Sequence, residues 1–94
     1  MLEIKWNEDG QLQLAGRLDA SQEARVRDEL NRIAESVVVD FSKLDYISSA
    51  GLGVLLSTHL RLSKEGKRLT LRSVNPHIRN ILDLSGLAKL FHID

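Results

Sequence analysis

Two hydrophobic periods take turns along this chain. Leu2, Ile4 and Trp6 alternate with polar residues, Asn7-Glu8-Asp9-Gly10 supplies turn chemistry, and Leu12, Leu14, Gly16 and Leu18 alternate again, which predicts a β-hairpin. Asp19 followed by Gln22 has capping-box spacing, and Val26, Leu30, Ile33, Ala34 and Val37 recur at helical intervals, so a helix is expected from about Ala20 to Glu35. Val37 to Val39 with Phe41 then reads as a strand buried on both faces. Leu52, Val54, Leu55, Leu56, Leu60 and Leu62 describe a helix with apolar residues on more than one side, which calls for heavy packing. Gly66 suits a left-handed helix terminus, and Leu69 and Leu71 begin a fourth strand. Asn75-Pro76 opens the last helix, Asn as N-cap and Pro at the first helical position, with Ile78, Ile81, Leu82 and Leu84 as its buried face.

This order predicts an α/β fold: a mixed β-sheet with helices packed against it, the parallel strands joined by right-handed crossovers. Such crossovers carry the turn between the third strand and the second helix to one rim of the sheet, where open α/β sheets present functional loops. Ninety-four residues with 43% hydrophobic content suit one domain spanning 1–94 with one core, and no repeat or linker divides it.

Charge and composition remove several function classes. The formal net charge is zero, which argues against nucleic acid held by a strongly basic field. Residues 1–47 nevertheless carry six Lys or Arg against ten Asp or Glu, a balance of −4, and residues 48–94 carry seven against three, a balance of +4. Arg61, Lys64, Lys67, Arg68, Arg72 and Arg79 make the second half locally basic, which reads first as solvated helix and strand edges. With no cysteine there is neither a disulfide framework nor a thiolate site. No apolar run is long enough to span a bilayer, and Met1 to Lys5 lacks a signal-peptide layout, so no membrane association and a cytoplasmic location are expected. His59, His77 and His92 match no metal-ligand spacing, and His59 reads as a buried or edge residue. Gly51 and Gly53 lack the third glycine or the Lys-Ser/Thr of a nucleotide loop, leaving close packing near a helix start. Asp40 and Asp45 read as capping acids at a strand end and in a loop rather than a catalytic pair.

The remaining chemistry is at residues 47–53, Ile-Ser-Ser-Ala-Gly-Leu-Gly, where an apolar strand meets an apolar helix. The first helical N–H groups have no partner within a helix, and that end favours negative charge. Read locally, Ser48 or Ser49 is a helix cap.

Residues 40–53 resemble the signature of STAS domains, the small bacterial anti-sigma factor antagonists, which runs roughly Asp-Phe-Ser-x-Leu-x-x-Ile-Asp-Ser-Ser-Gly-Leu-Gly. Asp40, Phe41, Ser42, Leu44, Ile47, Ser49, Gly51, Leu52 and Gly53 fall on it, and Ile81 to Leu87 with Leu90-Phe91 looks like the end of such a domain. The resemblance implies a phospho-acceptor at Ser49, with Ser48 as a second candidate. It also implies a partner surface formed by Asp19, Ser21, Gln22, Ser48, Ser49, Ala50, Gly51, Leu52 and Gly53. Two positions depart: Ser48 stands where the family carries Asp, and Ala50 where it carries Ser or Thr. The function implied is that of an anti-anti-sigma factor in a partner-switching circuit. Its partners would be an anti-sigma factor that is also a serine kinase of the GHKL ATPase type, and a metal-dependent serine phosphatase. The domain itself would need no cofactor and would be monomeric when free. A STAS scaffold subunit that never cycles through phosphate and a small serine hydrolase are the alternatives; against the latter, no Gly-x-Ser-x-Gly elbow or organised His base surrounds the serines.

Overall fold

The structure is a computed structural model that describes residues 1–94. Strands β1 (Leu2–Trp6), β2 (Leu12–Leu18), β3 (Val37–Ile47), β4 (Leu69–Arg72) and β5 (His92–Ile93) form one sheet in the order β1-β2-β3-β4-β5. The first pair is antiparallel and the other three are parallel. Helices α1 (Glu23–Asn31), α2 (Ser49–Lys64) and α3 (Pro76–Leu84) fill the crossovers, giving the expected mixed α/β arrangement. The expected hairpin is present: the Asn7 side chain accepts from the N–H groups of Asp9 and Gln11, and Gly10 takes the left-handed conformation.

Leu12, Leu14, Leu18, Phe41, Leu44, Leu55, Leu62 and Leu71 are at most 1% exposed and join one continuous core. Each contributes roughly 1.5–3 kcal/mol through its removal from water.

The structure revises five details of the sequence reading. The first helix is shorter than expected: a 3-10 turn over Ala20–Gln22 precedes α1, which ends at Asn31, and Val37 belongs to β3. β3 runs on through Asp45 to Ile47, so that acid lies in a strand and not in a loop. It also buries mainly one side, since Val37, Val39 and Phe41 are buried while Val38 and Asp40 are partly exposed. Leu84 is 80% exposed and takes no part in the buried face of α3. Leu60 on α2 is 50% exposed and stands outside the packing that buries Leu52, Val54, Leu55 and Leu62.

The length of β3 has a local cause. Its pairing with β2 slips twice, between Gln13 and Ala15 and between Gly16 and Arg17, each time by one extra residue on β3. Bulges of this kind change which residues face inward, so the buried positions go from a spacing of two at Val37, Val39 and Phe41 to a spacing of three at Leu44 and Ile47. β3 thereby extends beyond the end of β4, whose last partner is Asp40, and delivers Ser48 to the rim.

Candidate functional site

The rim is built where β2 and β3 end side by side. The Ser48 N–H donates to the Leu18 carbonyl at 2.8 Å, which locks the start of α2 to the end of β2. Just beyond Leu18, Asp19 organises the opposite lip. Its carboxylate accepts from the Ser21 N–H at 3.0 Å and from the Ser21 hydroxyl at 2.6 Å, while the Gln22 side chain accepts from the Asp19 N–H at 3.0 Å. The Ser21 hydroxyl, followed by its N–H, holds the Asp19 carboxyl below the usual carboxylate range. The capping-box spacing thus forms the predicted reciprocal contacts, and it does so on a 3-10 turn.

The two serines have different environments. Ser48 has extended backbone, and its Oγ accepts from the Gly51 N–H at 3.1 Å, which makes it the N-cap of α2. Ser49 is the first helical residue and is exposed, and its hydroxyl makes no hydrogen bond within the chain. One hydroxyl is therefore committed to the fold and its neighbour faces solvent at the positive end of a 16-residue helix.

Close packing behind the serines explains one of the two glycines. A Cβ on Gly51 would lie 2.7 Å from Leu18 Cγ and 3.1 Å from Ile47 Cγ1, so α2 can approach the two strand ends only without a side chain there. Gly53 is different: it is exposed, and an added Cβ would meet nothing within 4 Å, so the packing role expected of it is absent. Asp19, Ser21, Gln22, Ser48, Ser49, Ala50 and Gly53 all reach the surface of this rim, whereas Gly51 and Leu52 are buried and support it from beneath.

Sequence reasoning missed two residues beside the rim. Arg17 lies over the Tyr46 ring at 4.3 Å to the centroid, on strands whose register places these residues opposite each other. No local pattern connects residues so far apart; only the bulged pairing of β2 with β3 does. Asp40 sits lower on β3, where burial pushes its carboxyl up but the Ser42 backbone N–H at 2.8 Å, the Ser42 hydroxyl and the Gln13 amide at 3.2 Å outweigh it and hold it below the usual range. It lies inside β3 and not at a strand end as expected, and its bonds to Ser42 and Gln13 give it a structural role within the sheet.

No group of three His, Cys, Asp or Glu side chains is arranged to hold a metal ion, and no helix is long and apolar enough to cross a membrane. His59 is 7% exposed, packed against the rings of Phe91 and His92 with centroids at 5.5 and 5.9 Å, and its Nδ1 has no hydrogen-bond partner.

The comparisons with known proteins agree with this architecture. The family model described as "Mlab, STAS domain" matches residues 4–92. An anti-sigma F factor antagonist of Paenibacillus polymyxa is 31% identical over 87 residues, covering 87% of this chain and 74% of its own. A STAS-domain-containing protein of Pseudomonas aeruginosa is 33% identical, with 90% of each chain covered. Among solved structures, an anti-sigma factor antagonist from Mycobacterium paratuberculosis superposes with a TM-score of 0.80 at 22% identity, over 99% of this chain and 83% of its own, and so attests the fold. With a family model matched over residues 4–92 and relatives of 31% and 33% identity matched over most of both chains, this chain belongs to the STAS-domain family of anti-sigma factor antagonists.

Proposed function

We propose that this domain is the reversible component of a partner switch. In its unphosphorylated form it binds an anti-sigma factor that is itself a serine kinase of the GHKL ATPase type, which frees a sigma factor. The kinase then phosphorylates Ser49 and ends the complex, and a metal-dependent serine phosphatase restores it. ATP and its metal ion belong to the partner, and the domain takes no catalytic part. The observation that carries this reading is the division of labour at the rim: Ser48 caps α2, while the exposed Ser49 hydroxyl is free for modification.

The physical logic of the switch follows from where the charge lands. A phosphoryl group adds about −1.5 to −2 charges and three acceptor oxygens to a small neutral side chain. In the free domain the α2 N-terminus offsets that charge, so the fold survives. Across a packed interface the same group must be desolvated, and unless the partner supplies an arginine cluster it stays unpaired. A loss of roughly 2–4 kcal/mol weakens the complex by about 30- to 1000-fold.

Kinase treatment followed by fragmentation mass spectrometry tests the acceptor, with a single phosphate expected on Ser49. Calorimetry of both forms against the same kinase, alongside a thermal melt of each form alone, tests the switch. Equal affinities, or an affinity loss accounted for by unfolding, would defeat it and favour a second reading. In that reading the domain is a constitutive STAS scaffold subunit of a transport or signalling assembly that never cycles through phosphate. A serine hydrolase has less support. His59 lies ten residues along α2 from Ser49, about 15 Å at the helical rise per residue, with its ring packed against Phe91 and His92.

A further inference from the structure

On the side of β2 opposite β3, β1 forms an edge of the sheet. The Met1 carbonyl accepts from the Arg17 N–H and the Asn7 N–H donates to the Gln11 carbonyl, so odd positions of β1 turn their backbone groups toward β2. The N–H and C=O groups of Leu2, Ile4 and Trp6 consequently point away from the sheet. Of these, the Leu2 carbonyl accepts from Arg25 at 2.6 Å and keeps a second lone pair. Trp6 is 51% exposed and borders a cleft of about 480 Å³ with Ile33 and Val37. An edge met by one side chain, Arg25 at Leu2, and otherwise open through Ile4 to a half-exposed tryptophan is a surface that invites another strand.

We infer that this edge pairs with the β1 edge of a second copy of the chain, antiparallel and related by a twofold axis through Ile4. The sequence Leu2-Glu3-Ile4-Lys5-Trp6 complements itself about that centre. Ile4 faces Ile4 of the second copy and Leu2 faces Trp6 of the second copy, with the outward backbone groups of both pairs joined. Glu3 and Lys5 are exposed on β1, their charged groups 4.0 Å apart within the chain, and each falls opposite the other's counterpart on the second copy. These are the non-hydrogen-bonded positions, where opposed side chains come closest and unlike charges stabilise. Sliding the pairing by one step of two residues in either direction would set Glu3 against Glu3 or Lys5 against Lys5. The charges therefore select a single register, and the twofold closes the assembly at a dimer. Against the expected free monomer, the proposal is a weak, concentration-dependent dimer.

A charge-swap experiment tests the pairing. Sedimentation equilibrium over about 5 to 500 µM should show wild-type protein dimerising within that range. Lys5→Glu alone and Glu3→Lys alone should each remain monomeric, because each opposes like charges at both positions. An equimolar mixture of the two variants should regain the dimer as a heterodimer. Circular dichroism of each variant is expected to match wild type, since both side chains are exposed. A wild-type monomer throughout the range, a single variant that dimerises as wild type does, or a mixture that stays monomeric would overturn the inference.

Discussion

The two serines at the start of α2 should separate cleanly under mutation. Ser48→Ala removes the oxygen that accepts from the Gly51 N–H at 3.1 Å, and Gly51 is buried, so water replaces that partner poorly. Loss of a serine N-cap costs about 1 kcal/mol, within a range of about 0.5–2. In a domain of this size that is a fall of about 4–8 °C in melting temperature. Ser49→Ala removes a hydroxyl that is exposed and unbonded, and alanine is the better helix former, so its stability should stay within about 0.5 kcal/mol of wild type. Ser48→Asp should keep or raise stability, because a carboxylate caps equally well and adds a favourable interaction with the helix end. Thermal and urea melts of the three variants measure this directly. A stable Ser48→Ala, or a Ser49→Ala that loses more than about 1 kcal/mol, would show that the capping and free hydroxyls have been assigned the wrong way round.

The packing beneath the rim predicts that Gly51→Ala loses roughly 1–2 kcal/mol, because the 2.7 Å approach to Leu18 Cγ forces α2 outward by more than the gain in helix propensity returns; an unchanged or raised urea midpoint would refute this. His59 supplies a pH dependence. Burial, followed by the nearby charge of His92, lowers its pKa below the ordinary 6.5, and the Leu90 backbone only partly opposes this. The unfolded chain therefore binds the proton more readily, so stability is intact above about pH 6.5 and declines as pH falls through that value toward the folded pKa. His59→Leu should flatten this decline. An identical slope in wild type and variant between about pH 7.5 and 5.5 would assign the dependence elsewhere.

What could be read from the sequence was what depends on short-range periodicity. The hairpin, the parallel crossovers and both cap signals, Asp19 with Gln22 and Asn75 with Pro76, are local patterns, and each forms: Asn75 accepts from the Ile78 N–H at 2.8 Å. β3 was only half legible. Its two bulges break the alternation after Phe41, and nothing within Ser42 to Ile47 reveals that β2 keeps pairing alongside. The end of α1 was misplaced because Ile33 and Ala34 continue the helical spacing after the helix has stopped. There Arg61 bonds the Leu30 and Ile33 carbonyls at 3.0 and 2.9 Å, a cap supplied from another helix. The serine junction stood out, but which hydroxyl would cap and which would stay free depended on the backbone of Ser48, and a pair of adjacent serines cannot disclose that.

The same geometry gives the departure at Ser48 a consequence for the proposed switch. A carboxylate at position 48 would both cap the helix and oppose a phosphate arriving at Ser49. Two unit charges about 6 Å apart in water repel by about 0.7 kcal/mol, and a doubly charged phosphate by about twice that. Ser48 keeps the cap through its Oγ and removes the repulsion, so the α2 N-terminus meets phosphate with no neighbouring anion at the preceding position. If Ser49 carries phosphate as proposed, the modified domain would be more stable than the same domain bearing Ser48→Asp by an amount comparable to a single helix cap, which melts of the two phosphorylated forms would measure. In the proposed cycle such a gain would favour the released, phosphorylated state and leave its reversal to the proposed phosphatase.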